Sequence, residues 1–118
     1  MTNSQQVKIY DLEDRTYQYA RSVLNCCKEV PKNSINFPLI NQVIRASGSV
    51  GANYIEANEV LSKKDFYHRI KICLKEVKEA RYWLRLINES EEKMLDRTEP
   101  LINESTELLK IFSSIINK

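Results

Sequence analysis

The sequence predicts an all-α protein that folds as an antiparallel four-helix bundle with up-down-up-down topology. Only two Gly and three Pro occur among 118 residues, and a β-rich fold needs more turn residues than that. Apolar residues recur at helical spacing in four segments, each long enough to bury one face. The connections between the segments are short, so consecutive helices should run antiparallel.

Length and composition favour one soluble domain spanning residues 1–118, with residues 1–8 as a flexible tail. The first residues lack the apolar run of a signal peptide. No stretch approaches the ~20 apolar residues of a membrane span. These features predict a cytoplasmic protein without a membrane partner. The net charge of +2 is too small to indicate nucleic-acid binding by itself.

The three cysteines predict reduced thiols. Their number is odd and Cys26 is adjacent to Cys27, so no disulfide framework is indicated. One histidine and no CxxC motif cannot supply a Cys/His zinc set. We therefore predict neither a metal site nor a cofactor.

The first segment, about Tyr10 to Glu29, ends before Pro31, because the residue preceding a proline disfavours helix. Its carboxylates at Asp11, Glu13 and Asp14 complement the dipole of the helix start. Its apolar face comprises Leu12, Thr16, Tyr19, Ala20, Val23, Cys27 and Val30.

The second segment, about Phe37 to Glu59, has small residues at its centre. Asn36 is the predicted N-cap, with Pro38 in the first turn. Gly48 and Gly51 lie mid-helix, where each costs roughly 1 kcal/mol relative to Ala. Two such residues predict close approach of a neighbouring backbone.

The third segment, about Lys63 to Asn88, has two apolar faces. Ser62 and Asp65 form a variant of the capping box. The main seam comprises Phe66, Ile70, Cys73, Val77, Ala80, Leu84 and Ile87. A second strip, Ile72, Trp83 and Leu86, lies ~100° away. Two faces indicate two neighbours, and one interpretation is that the second neighbour is another subunit.

The fourth segment is predicted from about Thr98 to Asn117. Thr98 is the predicted N-cap and Pro100 lies in the first turn. Its face comprises Leu101, Leu108, Phe112 and Ile115. The charged linker, Glu89 to Arg97, is compatible with a short helical turn.

A polar stripe on the second helix is the first candidate site. Its members recur at spacings of 4, 4 and 3, and Glu76 of the third helix can meet them: Arg45, Ser49, Asn53 and Glu56. One interpretation is a ligand or partner site. The other is a salt-bridged network that fixes register and oligomer specificity, and the behaviour of polar seams in bundles favours it.

A basic face on the third helix is the second candidate. Six side chains lie within about 100° of the helix circumference, with Arg81 at the edge: Lys64, His68, Lys71, Lys75, Lys78 and Arg85. Tyr67 and Tyr82 flank this stripe and can stack on bases. It either binds a phosphate backbone, or is a solvated face, or pairs with the seven acids between residues 89 and 107.

Catalytic patterns are lacking in the sequence. The one histidine, His68, lies on the basic stripe, and no Glu-x-x-His motif of a di-iron bundle occurs. The GSVG segment at Gly48 lacks the Gly-Lys-Ser/Thr of a phosphate loop. Glu56 and Glu76 are the one candidate pair of carboxylates. We predict a protein that is not an enzyme.

Two stretches of the sequence resemble a known family. The run from Gln42 to Ala57 (QVIRASGSVGANYIEA) and the stretch from Lys64 to Leu86 are similar to the four-helix-bundle proteins encoded within 23S rRNA intervening sequences. The opening Leu12-Glu-Asp-Arg-Thr16 also fits, and the resemblance runs from about Lys8 to the C-terminus. It implies a ring-like homopentamer without established enzymatic activity.

A related branch is the accessory variability determinant of diversity-generating retroelements, whose pentamers are basic and bind nucleic acid and a reverse transcriptase. This chain is less basic, at +2. The family pattern falls on the same polar residues as the helical spacing: Arg45, Ser49, Asn53, Glu56 and Glu76.

Together these features predict a non-enzymatic homo-oligomer, by resemblance a pentamer, that binds RNA or DNA backbone through the third helix. A protein partner such as a reverse transcriptase is also implied by the resemblance. The alternative is a protein–protein interaction scaffold that does not bind nucleic acid.

Overall fold

Four α-helices and one short 3₁₀ helix make up the computed structural model, which describes residues 12–118. The α-helices are α1 (Leu12–Glu29), α2 (Asn36–Glu59), α3 (Lys63–Ser90) and α4 (Leu95–Ile116). The 3₁₀ helix, Glu92–Met94, precedes α4. The all-α prediction is therefore confirmed. The proposed tail, Tyr10 and Asp11 lie outside the described residues.

Each helix packs against the next along the chain, and α1 also packs against α4. Because the connections are short, this arrangement closes an antiparallel up-down-up-down bundle. The predicted seam of α3 is buried from Ile70 to Ile87, and Phe66 is partly buried at its start. Phe112 of α4 is among the largest fully buried side chains. The periodicity therefore identified the core correctly.

Helices α2 and α3 pack in a register that three polar contacts define. Arg45 reaches Glu76, the Cys73 thiol donates to the carbonyl of Val50 at 3.4 Å, and Arg69 donates to Asn53 at 3.0 Å. In this register, the numbers of two residues that face each other across α2 and α3 sum to about 122. This register decides which side chains of the predicted polar stripe can meet.

The two glycines of α2 differ in their surroundings. A Cβ at Gly51 would lie 3.1 Å from the hydroxyl oxygen of Thr16 in α1, so the predicted close approach is present there. A Cβ at Gly48 would meet nothing within 4 Å. Gly48 faces outward, so within the subunit no neighbour approaches it.

The predicted N-cap of α2 was wrong. Asn33 caps this helix instead, since its side-chain oxygen accepts from the backbone N–H groups of Ile35 and Asn36. Asn36 is fully buried. Its amide donates to the carbonyl of Pro31 and to Glu91, and it accepts from Ser90 at 2.6 Å. Asn36 thus ties the α1–α2 loop to the end of α3.

The predicted start of α4 was also wrong, because the helix begins at Leu95. Thr98 is buried inside the helix, and its hydroxyl donates to the carbonyl of Met94 at 3.2 Å. Pro100 lies inside the helix rather than in a first turn. The missing N–H costs the helix its bond to the carbonyl of Asp96, which is exposed to water. Ser62 caps α3 as predicted, accepting from the N–H of Asp65.

Candidate nucleic-acid interface

The basic stripe of α3 lies on the outside of the bundle. The main seam turns Ile70, Cys73 and Val77 inward, so residues on the opposite side of the helix face water. Six members of the predicted stripe are exposed: Lys64, His68, Lys71, Lys75, Lys78 and Arg85. From Lys64 to Arg85 the stripe extends for about 32 Å, at 1.5 Å per residue.

The stripe is not neutralised by ion pairs within the described part of the chain. The salt bridges among residues 12–118 join Arg15 to Glu104, Arg45 to Glu76 and Glu79, Arg97 to Glu29, and Lys110 to Glu107. None includes a cation of the stripe. Pairing of the stripe with the acidic stretch of residues 89–107 is therefore absent within one subunit.

The acidic stretch contacts other parts of the bundle. Glu104 accepts two hydrogen bonds from Arg15, at 2.8 and 2.9 Å, and so links α4 to α1. This bond to Glu104 raises the pKa of Arg15 against the opposing effect of burial. This bidentate geometry is the strong form of an arginine–carboxylate pair. Glu104 is therefore paired with α1 rather than with a cation of the α3 stripe.

Arg81 differs from the rest of the stripe. It is partly buried, and its guanidinium donates to the hydroxyl of Thr106 in α4 at 3.3 Å. Its position at the edge of the predicted sector turns it toward the α3–α4 contact. Arg81 therefore contributes to the contact between α3 and α4 more than to the exposed basic stripe.

Aromatic side chains accompany the stripe as the sequence indicated. Tyr82 is 55% exposed, and its ring meets the edge of Trp83 with centroids 5.2 Å apart. Tyr67 is half-buried against Phe66. Trp83 is partly buried against the core, and its indole nitrogen has no hydrogen-bond partner within the described residues. The open face of Tyr82 is available for stacking.

The predicted polar stripe of α2 separates into two clusters. Arg45 donates to buried Glu76 at 3.3 Å and to Glu79 at 2.7 Å. Farther along, Asn53 donates to the backbone carbonyl of Ser49 at 2.9 Å. The oxygen of Asn53 accepts from Arg69.

Glu56 belongs to neither cluster, because it is exposed and forms no ion pair within residues 12–118. In the α2–α3 register Glu76 faces position 46, which is ten residues, or about 15 Å, from Glu56. The candidate carboxylate pair of Glu56 and Glu76 is therefore not assembled within a subunit.

Sequence reasoning missed three polar contributors. Arg69 and Glu79 lie beside the predicted stripes on α3, but their partners depend on the register between helices. Tyr19 was assigned to the apolar face, yet its hydroxyl lies 2.6 Å from that of Ser105 in the core. Burial raises the pKa of Tyr19 to about 12. Ser105 at helical spacing between Leu101 and Leu108 was the available signal.

All three cysteines are buried free thiols. Burial raises the pKa of Cys27 and of Cys73 to about 12, and it also raises the pKa of Cys26. Thiols in such surroundings are poor nucleophiles at neutral pH. Within residues 12–118, no group of three or more His, Cys, Asp or Glu side chains is arranged to hold a metal ion.

A second surface, on α1 and α2, is mainly apolar, although Glu13 and Asp14 also line its groove. It surrounds an open groove of about 500 Å³ between the two helices. Gly48 and Ala52 form one side of the groove, and Tyr17 and Ile55, which are 63% and 46% exposed, flank it. Leu24 and Ile44 are also exposed and follow at four-residue spacing from Ala20 and Gly48. We call this set the α1/α2 apolar surface.

The profile of the 23S rRNA-intervening sequence protein family matches residues 8–114. The chain belongs to this family. The match spans α1 to α3, nearly all of α4, and both motifs on which the resemblance was based. No curated protein matches the chain.

Among solved structures, the chain is similar to a protein with unknown function from the S23 ribosomal protein family of Bacteroides thetaiotaomicron. The two sequences are 33% identical over 90% of this chain and 98% of the other, with a TM-score of 0.81. The common fold therefore extends over nearly the whole bundle. In the described residues, no helix is both long and apolar enough to span a bilayer.

Proposed function

We propose that this protein is a homo-oligomeric accessory factor that binds the backbone of RNA or DNA through the exposed basic stripe of α3, and that it acts by binding rather than catalysis. One observation carries the proposal: six exposed side chains, five of them cationic, follow one helix face for about 32 Å without a carboxylate partner in the described subunit. A phosphate backbone supplies the missing anions.

The length of the stripe suits a nucleic-acid strand. One strand of duplex DNA carries a phosphate every 3.4 Å along the axis, and cations four residues apart on a helix are separated by about 6 Å. Lys71 and Lys75 are therefore about 6 Å apart along the helix and Lys78 lies about 4.5 Å farther, so the three cations are spaced on the same scale as the phosphates of a strand. The low net charge of +2 is compatible with this role, because the acids are concentrated on other surfaces.

Self-association is the second part of the proposal. The α1/α2 apolar surface exposes Tyr17, Leu24, Ile44 and Ile55 around a groove of small residues, and contiguous exposed apolar surface is typical of interfaces. The family resemblance suggests five subunits. An oligomer repeats the stripe, so that one nucleic acid engages several weak sites with a gain in avidity.

The experiment that tests backbone binding is a salt series with fluorescent duplex DNA and structured RNA. A triple variant, Lys71→Gln, Lys75→Gln and Lys78→Gln, should weaken binding and reduce the slope of log K against log[salt] by about 2–3, at ~0.9 per phosphate contact. The matched control replaces three lysines that are exposed outside the stripe with Gln: Lys28, Lys93 and Lys110. It changes net charge equally and should leave the slope nearly unchanged.

Self-association is tested separately by native mass. Ile55→Glu places a charge in the α1/α2 apolar surface and should reduce the mass toward that of one subunit. Leu61→Glu is the control, because Leu61 is fully exposed in the α2–α3 connection. An unchanged mass for Ile55→Glu would show that this surface is not the interface between subunits.

The alternative function is a protein–protein scaffold, and the same α1/α2 apolar surface favours it. A protein partner, for example a reverse transcriptase, would then occupy that surface. Wild-type protein that binds neither duplex DNA nor RNA at low salt would favour the scaffold.

A further inference from the structure

The C-terminal half of α3 and the first turns of α4 border an open cavity of about 520 Å³. It is in the size range of sites for small molecules. Leu86 and Ile102 give it apolar walls, Tyr82 lies at its edge, and Asn88 and Glu99 contribute polar atoms. None of these residues belongs to the groove on α1 and α2.

The cavity adjoins the basic stripe. Arg85, the last cation of the stripe, is also part of the cavity lining, and Lys78 precedes it by two helical turns, or about 10 Å. A strand whose phosphates follow Lys71 to Lys78 therefore reaches the cavity with its next nucleotides. Paired bases in a duplex are stacked and cannot enter, whereas bases of a single strand can be turned outward.

The lining chemistry favours a base over a phosphate. Glu89 and Glu99 both line the cavity and repel a phosphate group. Among residues 12–118, the side-chain oxygen of Asn88 is buried without a hydrogen-bond partner. A buried acceptor without a partner is costly, and a ligand donor that reaches this oxygen would remove that cost.

Two carboxylates in the lining favour a base edge with adjacent donors, and Arg85 and Asn103, which also line the cavity, can donate to a carbonyl oxygen beside that edge. Guanine presents adjacent N1–H and N2–H₂ groups on its Watson–Crick edge, and one carboxylate can accept from both. The exposed ring of Tyr82 offers a stacking platform and forms a T-shaped pair with Trp83. Uracil has one ring N–H between two carbonyl oxygens, which the carboxylates disfavour.

We propose that this cavity binds an unstacked guanine base of a single-stranded nucleic acid whose backbone lies on the α3 stripe. The inference rests on the proposed backbone binding for its affinity in a strand, but the cavity can be tested without it. Binding in the cavity would add a preference for one base to an interface that otherwise contacts only phosphates.

The test compares fluorescent single-stranded oligonucleotides of equal length: all-uridine, and the same strand with one central guanine or one inosine, which lacks the N2 amino group. Wild-type protein should bind the guanine strand about tenfold more tightly than the all-uridine strand, since hydrogen bonds from N1–H and N2–H₂ to a carboxylate, with the base held on Tyr82, contribute on this scale. The inosine strand should fall between them. Equal affinity for all three strands would overturn the proposal.

Two variants locate the preference. Tyr82→Ala and Glu99→Gln should each reduce the guanine preference to less than threefold, and both residues are exposed, so the bundle should fold. Lys110→Gln is the control and should retain the preference. A preference that survives both cavity variants would place base recognition elsewhere and refute the assignment.

A separate arm distinguishes failure of the stripe from failure of the cavity. Guanosine monophosphate and uridine monophosphate are titrated into the protein while backbone amide shifts are recorded by NMR. If no oligonucleotide binds, the stripe proposal fails. The cavity proposal then stands if guanosine monophosphate alone shifts the amides of Tyr82, Asn88 and Glu99, and it fails if neither nucleotide does.

Discussion

Replacement of Arg45 by Ala should cost about 1–2 kcal/mol of subunit stability. The Arg45 side chain is 48% exposed and shared between Glu76, which is 10% exposed, and Glu79, which is 37% exposed. An exposed pair contributes about 0.2–1 kcal/mol, whereas breaking a fully buried pair costs about 3–5 kcal/mol. Arg45 lies between these limits, because solvent screens it while its loss leaves the Glu76 carboxylate buried.

The two carboxylates allow a sharper version of this prediction. Glu79 is closer to Arg45, at 2.7 Å against 3.3 Å for Glu76. Burial should nevertheless make the coupling of Arg45 to Glu76 the larger, because water screens the Glu79 pair. Distance alone predicts the opposite order.

The assay is a pair of double-mutant cycles by urea unfolding, using Arg45→Ala with Glu76→Gln and with Glu79→Gln. The expected coupling is about 1–2 kcal/mol for Glu76 and at most about 1 kcal/mol for Glu79. Stronger coupling to Glu79 would refute the reasoning from burial. If Arg45→Ala alone lowers the free energy of unfolding by about 3 kcal/mol or more, Arg45 is buried in the protein in solution.

Three further predictions concern the stability of the subunit. Gly48→Ala should raise the free energy of unfolding of single subunits by up to about 1 kcal/mol. Gly51→Ala should raise it less or lower it, since the new Cβ would lie 3.1 Å from Thr16. The midpoints of urea unfolding compare the stabilities of the two variants. Tyr19→Phe should cost about 1 kcal/mol by the same assay, because Ser105 loses a buried partner. Native stability should fall as the pH rises from 9 toward 12, since the folded chain retains the protons of Cys27 and Cys73, whose pKa values rise from 9.0 to about 12, while the unfolded chain releases them; a midpoint constant from pH 8 to 11 contradicts this.

The helical spacing predicted the fold because each helix has one dominant apolar face. The seam of α3 from Ile70 to Ile87 is buried as expected, and Ser62 caps the helix that it precedes. The ends of helices were harder to predict. Asn36 has the chemistry of a cap, but burial against Glu91 and Ser90 gives it a tertiary role that local sequence does not reveal.

Pro100 illustrates the same limit for α4. A proline near a Thr suggests a helix start, yet the helix begins five residues before Pro100. The cost of one lost backbone bond is tolerated because water can solvate the exposed carbonyl. Spacing alone does not distinguish these cases.

The candidate site was predicted in part. Angular position on α3 identified the exposed cations, because orientation follows directly from the buried seam. The partners of Arg45 and Asn53 depended on the register of α2 against α3, which spacing within one helix does not contain. For that reason the sequence joined Glu56 to a network in which it has no part, and missed Arg69, which contacts Asn53.

The most direct test of the central claim is the salt dependence of duplex binding by wild-type protein and by the triple variant of Lys71, Lys75 and Lys78. Backbone binding by the α3 stripe predicts a steep slope for the wild type, reduced by about 2–3 in the triple variant and retained in the control that replaces Lys28, Lys93 and Lys110. Equal slopes for the wild type and both triple variants, or no binding by the wild type at low salt, would contradict the account.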